Sequence, residues 1–233
     1  MPLVPSLCFL PDSHDFVAAG PRSTIWPGDS TGARKYFGSH QIGMITCFAV
    51  PPKGTILASA SDLSVCIWST ETFQTCLSTI SSPGVDLTPN VALYPDGRLI
   101  AIGSRRAGVQ LRDISNLHND RFRESKSSYR RALFSPTGLL ILTDPIHPTE
   151  KDTVCILSQE DARGHFTVPK WSQVLKSSSL RVSSTPDGRW LGFGRDGRLE
   201  FRNSATGALA FAVFGPKDPN REEICMGNWS DQI

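Results

Sequence analysis

Short apolar runs broken by Pro, Gly, Asp and Ser recur along almost the whole chain. Residues ILASA begin at 56, LIAIG at 99, LILTD at 140 and WLGFG at 190, with FVAAG at 16 in an equivalent place. Four of them start two residues after the glycine of a turn-like triplet: Pro52-Lys53-Gly54, Pro95-Asp96-Gly97, Pro136-Thr137-Gly138 and Pro186-Asp187-Gly188. Pro11-Asp12 is a degraded fifth triplet. Proline presets the backbone for a turn and glycine tolerates positive φ, so each triplet reads as a chain reversal into a strand.

The anchoring prolines are separated by 41, 43, 41 and 50 residues. A second strand-like block follows each run: STIW at 23, VCIW at 65, VQLR at 109, VCIL at 154 and LEFR at 199. Another precedes each anchor, in SLCF, ITCFAV, NVALY, RRALF and LRVSS, and a fourth is clearest in SATGALAFAVF at 204 to 214. No window carries a 3.6-residue apolar period, so helices are expected to be scarce. Four antiparallel strands repeating at roughly forty residues are the pattern of a β-propeller blade. The predicted fold is all-β, with about five blades in this chain, incomplete or open as a ring. Their expected bounds are 5–38, 39–83, 84–126, 127–170 and 171–215, with 216–233 a tail or the start of a further blade.

From about residue 5 to 215 the repeats resemble the WD40 family, most closely in the second unit, SHQIGMITCFAVPPKGTILASASDLSVCIWS. His40 stands at the histidine of the family's Gly-His pair, Ser59 on the second strand, Asp62 in the tight turn and Trp68 at the end of the third strand. The resemblance implies a hydrogen-bonded network from Asp62 to His40 to Ser59 to the Trp68 indole. Its physical sense is that a buried indole still needs an acceptor for its one donor. Ser59, His40 and Asp62 also have the residue types of a hydrolase triad. No GxSxG turn accompanies them, and a serine on an interior strand has no cleft, so the structural role is favoured. Arg112, Leu157 and Arg202 replace the tryptophan in later units. The texture of these divergent blades is similar to WD40 arrays of fungal NACHT-type proteins.

Composition narrows the functional classes. Lys+Arg 24 against Asp+Glu 22 leaves a net charge of +2, so bulk charge points to no specific nucleic acid and no membrane. The amino terminus has no basic leader and no apolar stretch is long enough to span a bilayer, which predicts a cytoplasmic or nuclear protein. The six cysteines show no CxxC pair, and the five histidines no ligand spacing. Reduced, buried thiols and no metal or cofactor are expected.

The resemblance implies a non-catalytic scaffold that binds protein partners. In such a meander the second-to-third turns and the links between units emerge on one side. Arg105, Arg106, Tyr129, Arg130, His147, Trp171, Arg181 and Arg195 are the candidate partner-binding residues there, giving a basic, aromatic face suited to an acidic protein segment. The stretch NDRFRESKSSYRR, 119 to 131, reads as a charged connecting loop. Two alternatives are a phosphate or phosphoinositide reader using Arg105 and Arg106, and an enzyme using the propeller face. Blades cannot bury their own faces, so open edges also predict self-association.

Overall fold

The computed structural model describes residues 7–11, 15–20, 24–28, 43–61, 63–71, 76–81, 90–104, 108–114, 123–124, 129–145, 153–159, 166–174, 181–195 and 198–214. Every regular element among them is a strand. Blade 1 comprises β1 (Leu7–Phe9), β2 (Phe16–Gly20) and β3 (Thr24–Gly28). Blade 2 comprises β4 (Ile45–Ala49), β5 (Ile56–Ser61), β6 (Ser64–Ser69) and β7 (Cys76–Ser81). Blade 3 holds β8 (Asn90–Leu93), β9 (Leu99–Ser104), β10 (Gly108–Asp113) and β11 (Arg123–Glu124). Blade 4 holds β12 (Tyr129–Phe134), β13 (Leu140–Pro145), β14 (Thr153–Gln159) and β15 (Phe166–Val174). Blade 5 holds β16 (Arg181–Ser184), β17 (Trp190–Arg195), β18 (Arg198–Asn203) and β19 (Leu209–Phe214). Strands adjacent in the chain pair antiparallel within each sheet, so each blade is a simple meander.

The turns that start the second strands follow from the repeated triplet. The N–H groups of Gly54, Gly97, Gly138 and Gly188 donate to the carbonyls of Pro51, Tyr94, Ser135 and Thr185 at 2.8 to 2.9 Å. Each of these glycines has φ between 68° and 84°, a region that penalises a side chain. The proline sits one residue into the turn, where its fixed φ fits.

Blades stack in chain order because side chains alternate across every strand. In blade 2, Leu57, Cys66 and Trp68 face blade 1 and pack with Val17, Ala19, Cys8 and Leu10. Ala58, Ala60, Val65 and Ile67 face the other way, onto Val91, Leu93, Ile100 and Ile102 of blade 3. Ala101, Val109 and Leu111 of blade 3 then meet Ala132, Leu140 and Leu142 of blade 4. Leu139 and Ile141 meet Leu191 and Phe193 of blade 5. Each blade therefore has a leading face that covers the trailing face of the blade before it. A sheet buried on both faces needs small and β-branched residues on both rows, which is why these runs carry so few charges.

Gly103 shows how close the stacking is. A Cβ built there would lie 2.1 Å from the Arg130 carbonyl oxygen, so β9 and β12 approach at a point that no larger residue fits.

Two sequence expectations are corrected. Residues 123–124 pair with β10 (Leu111 opposite Arg123, Gln110 opposite Glu124) and residues 129–131 begin β12, so the 119–131 stretch is not simply a connecting loop. Its charges alternate with no apolar row, which hid a short outer strand. The fourth sheet also continues to Val174, opposite Thr153, beyond the bound expected at 170.

Candidate functional site

The Trp68 indole is 2% exposed, and its Nε1–H donates to Ser59 Oγ at 2.7 Å. The contact is diagonal: Trp68 stands opposite Leu57 on β5, and Ser59 opposite Cys66, all on the face toward blade 1. His40 and Asp62 lie outside the described residues. Ser61 caps the adjoining turn, its Oγ accepting the N–H of Ser64 at 3.0 Å and of Leu63 at 3.3 Å. Nothing in the sequence pattern had singled out Ser61. A hydroxyl that takes local backbone donors at a turn is a general habit of serine.

Blade 5 solves the tryptophan position with charge. Arg202 occupies the slot of Trp68, and Leu191 opposite it and Phe193 opposite Glu200 put both charged side chains on the leading face. Glu200 is 1% exposed; its Oε2 accepts from Arg202 Nε at 3.1 Å and Nη2 at 2.9 Å. Its Oε1 lies 3.1 Å from Arg198 Nε. Arg202 Nη1 also donates to the Gly207 carbonyl at 3.0 Å, and Arg198 lies over the Phe214 ring, 5.1 Å from its centroid. The alternation Arg-x-Glu-x-Arg in a strand was the available signal, because residues two apart share a face.

The predicted partner-binding residues divide by place. Arg105 and Arg106, between β9 and β10, and His147, between β13 and β14, lie outside the described residues. Tyr129 and Arg130 open β12 and are half-buried; Tyr129 stands opposite Pro145 and packs against the blade 3–4 core. Arg181 opens β16 opposite Gly194, and Arg195 closes β17 opposite Arg198; their side chains are outside what is described. Trp171 is not in a connecting segment: it pairs with Ile156 in the body of β15. The connectivity brings the described ones, Tyr129, Arg130, Arg181 and Arg195, to one end of the sheets, where β9, β13 and β17 finish and β8, β12 and β16 begin.

Among the described residues, Cys8, Cys47 and Cys66 are free thiols and no group of acidic, Cys or His side chains is arranged to hold a metal. Burial pushes the Cys47 thiol above its ordinary range, against smaller opposing pulls from the Val91 backbone and Arg131. Cys8 is raised by burial first and then by Cys47. Thiols held protonated are poor nucleophiles and metal ligands. No helix among the described residues is long and apolar enough to cross a membrane.

Residues 33–69 match the family model for the WD domain, G-beta repeat, which spans β4 to β6 of blade 2. No curated protein matches the chain in sequence. Among solved structures, Kuenenia stuttgartiensis hydrazine synthase is similar with a TM-score of 0.69 at 18% identity, over 92% of this chain and 66% of that one. A chain in the crystal structure of a mitotic checkpoint complex is similar with a TM-score of 0.64 at 16% identity, over 88% of this chain and 62% of that one. The chain thus spans slightly less than two thirds of the length of either solved chain. At these identities the likeness is one of fold.

Proposed function

We propose that this β-propeller, whose second blade is a WD40 repeat, is a non-catalytic platform that docks an acidic protein segment on the loop-lined end of its sheets. The observation that carries the proposal is topological. The ends of β9, β13 and β17 and the starts of β12 and β16 share one end, and in the sequence Arg105 and Arg106 follow β9 and His147 follows β13. Arginine beside aromatic groups on a rigid scaffold provides charge-assisted hydrogen bonds and low-entropy contact area. Trp171 is dropped from the docking set because it lies mid-strand on β15.

Against the hydrolase alternative, Ser59 is fully buried and its Oγ already accepts the Trp68 indole N–H. A nucleophile needs access to substrate, and an oxygen buried inside an interblade core has none.

A fluorescent Asp/Glu-rich peptide, followed by anisotropy, tests the docking role. Binding should weaken with added salt and fall at least tenfold in the double variant Arg105→Glu/Arg106→Glu with its melting temperature unchanged. Undiminished binding in that variant, or no binding by the parent, defeats the proposal. Retention of phosphoinositide-containing vesicles together with loss of peptide binding would transfer the role to a phosphate reader.

A further inference from the structure

Three first strands each lie on the blade before them: β4 against β1 and β2, β8 against β4 and β5, and β12 against β8 and β9. The second strand underneath keeps small residues at the crossing, Ala58 and Ala60 in blade 2 and Ala101 and Gly103 in blade 3. One first-strand position, opposite the last of these small residues, bonds across to the backbone of the next first strand. In blade 2 it is Cys47, opposite Ala60, whose thiol donates to the Val91 carbonyl of β8 at 4.0 Å. In blade 3 it is Asn90, opposite Gly103, whose Oδ1 accepts the Ala132 N–H of β12 at 2.8 Å.

The trailing face of blade 5 repeats this arrangement with no described strand over it. Gly192 and Gly194 stand where blade 3 has Ala101 and Gly103, and Arg181, opposite Gly194, stands where it has Asn90. Trp190 takes the place of Leu99 at the far end of the row. Ser183 is exposed, whereas its counterpart Ala92 is buried against blade 4. Leu199 is 39% exposed, whereas its counterpart Val109 is fully buried.

We propose that residues 222–226 of this chain, EEICM, dock on this face as the first strand of a further blade. Residues 215–233 lie outside the described residues, and length, pattern and charge select this segment among them. The links 82–89, 125–128 and 175–180 that lead into β8, β12 and β16 have four to eight residues. A strand begun at Glu223 leaves 215–222, a link as long as the longest of these. Glu223-Ile224-Cys225-Met226 then aligns with Asn90-Val91-Ala92-Leu93. Val91 and Leu93 face the preceding blade and Ala92 the following one, so alternation turns Ile224 and Met226 toward Gly192, Gly194 and Leu199 and Cys225 away.

Charge agrees with this register. First strands all begin at the same end of the sheets, which brings Glu222 and Glu223 to the start of β16, where Arg181 stands. Arginine only donates, so at this position it suits a carboxylate and the carbonyl of Ile224, the counterpart of the Val91 carbonyl. A lone strand keeps its other backbone groups in water, and its hold comes from the apolar row and the ion pair. The contact shares Arg181 with the loop-lined end but uses neither Arg105 nor Arg106, so the peptide test of that reading and the test of this one fail separately.

Nuclear Overhauser spectroscopy on the full chain, labelled at Ile and Met methyls and at glycine, is the test. The expected result is contact from the Ile224 and Met226 methyls to the Gly192 and Gly194 α-protons, unchanged on dilution. The Met226 contacts should be lost in Ile224→Asp and kept in Cys225→Asp. They should weaken in Arg181→Glu and return when Glu223→Arg is added to the same chain, with melting curves verifying that each variant folds. No contact in the parent, contact only between differently labelled copies, persistence in Ile224→Asp, loss in Cys225→Asp, or a charge swap that restores nothing would each overturn the proposal.

Discussion

The backbone N–H of Ala132 donates to the side-chain Oδ1 of Asn90 across 2.8 Å, joining the first strand of blade 4 to the first strand of blade 3. Apolar rows hold neighbouring blades together without fixing their height. A directional bond between β8 and β12 sets it, beside the close approach of Gly103 to Arg130. Asn90→Ala should leave a half-buried donor without that acceptor and lower stability by about 1–3 kcal/mol. Urea unfolding is the measurement, and an unchanged midpoint would remove the bond from the account.

Trp68 separates packing from hydrogen bonding in blade 2. Trp68→Ala empties a site at the centre of the blade 1–2 core and should cost about 3–5 kcal/mol. Trp68→Phe keeps most of the apolar volume but leaves Ser59 Oγ without the indole donor. A double-mutant cycle of Trp68→Phe with Ser59→Ala should therefore return a coupling of about 0.5–1.5 kcal/mol. Additive effects would mean that the 2.7 Å contact contributes nothing of its own.

Much of the fold was legible because its cause is local. A Pro-x-Gly turn followed by an apolar run requires only neighbouring residues, and the recurrence of both at the blade period gave sheet type, strand order and blade order. Outer strands were harder to read. β11 has two described residues, Arg123 and Glu124, and its place is decided by pairing with β10 rather than by any apolar pattern. Trp171 was read as part of a link for a related reason: a residue near a presumed boundary reads as loop until β15 is seen to run through it. Ser59 and Trp68 were recognisable from a family motif, whereas Glu200 was not. A buried carboxylate depends on two arginines and a covering blade, and the covering blade is remote in sequence.

Glu200 gives the largest expected effect of a one-atom change. Glu200→Gln removes the negative charge between Arg198 and Arg202 while keeping the shape of the side chain. Two guanidinium groups then share a poorly solvated site, and breaking a buried pair in this way costs about 3–5 kcal/mol. The loss should persist in high salt, because screening acts weakly on groups withdrawn from solvent. Thermal melts of parent and variant at low and high ionic strength decide the matter. A difference that vanishes with salt would place Glu200 at the surface.

Asp187 allows a pH test confined to one turn. Thr185 Oγ1 donates to Asp187 Oδ1, and the Arg189 N–H donates to the same oxygen at 3.0 Å. The Thr185 bond chiefly, and the Arg189 backbone bond next, hold this carboxyl below the usual aspartate range. A depressed folded value means that the ionised form favours the folded turn. Its contribution is complete above the ordinary aspartate pKa and is lost as pH falls through the lowered one. Thr185→Val should move the Asp187 titration, followed by carboxyl-carbon NMR, back toward the ordinary range. Thr185 Oγ1 also accepts the Trp190 N–H at 3.1 Å, so the same variant should loosen the entry into β17 and speed amide exchange at Trp190. Titration curves that coincide in the two proteins would assign the depression to the backbone donors alone.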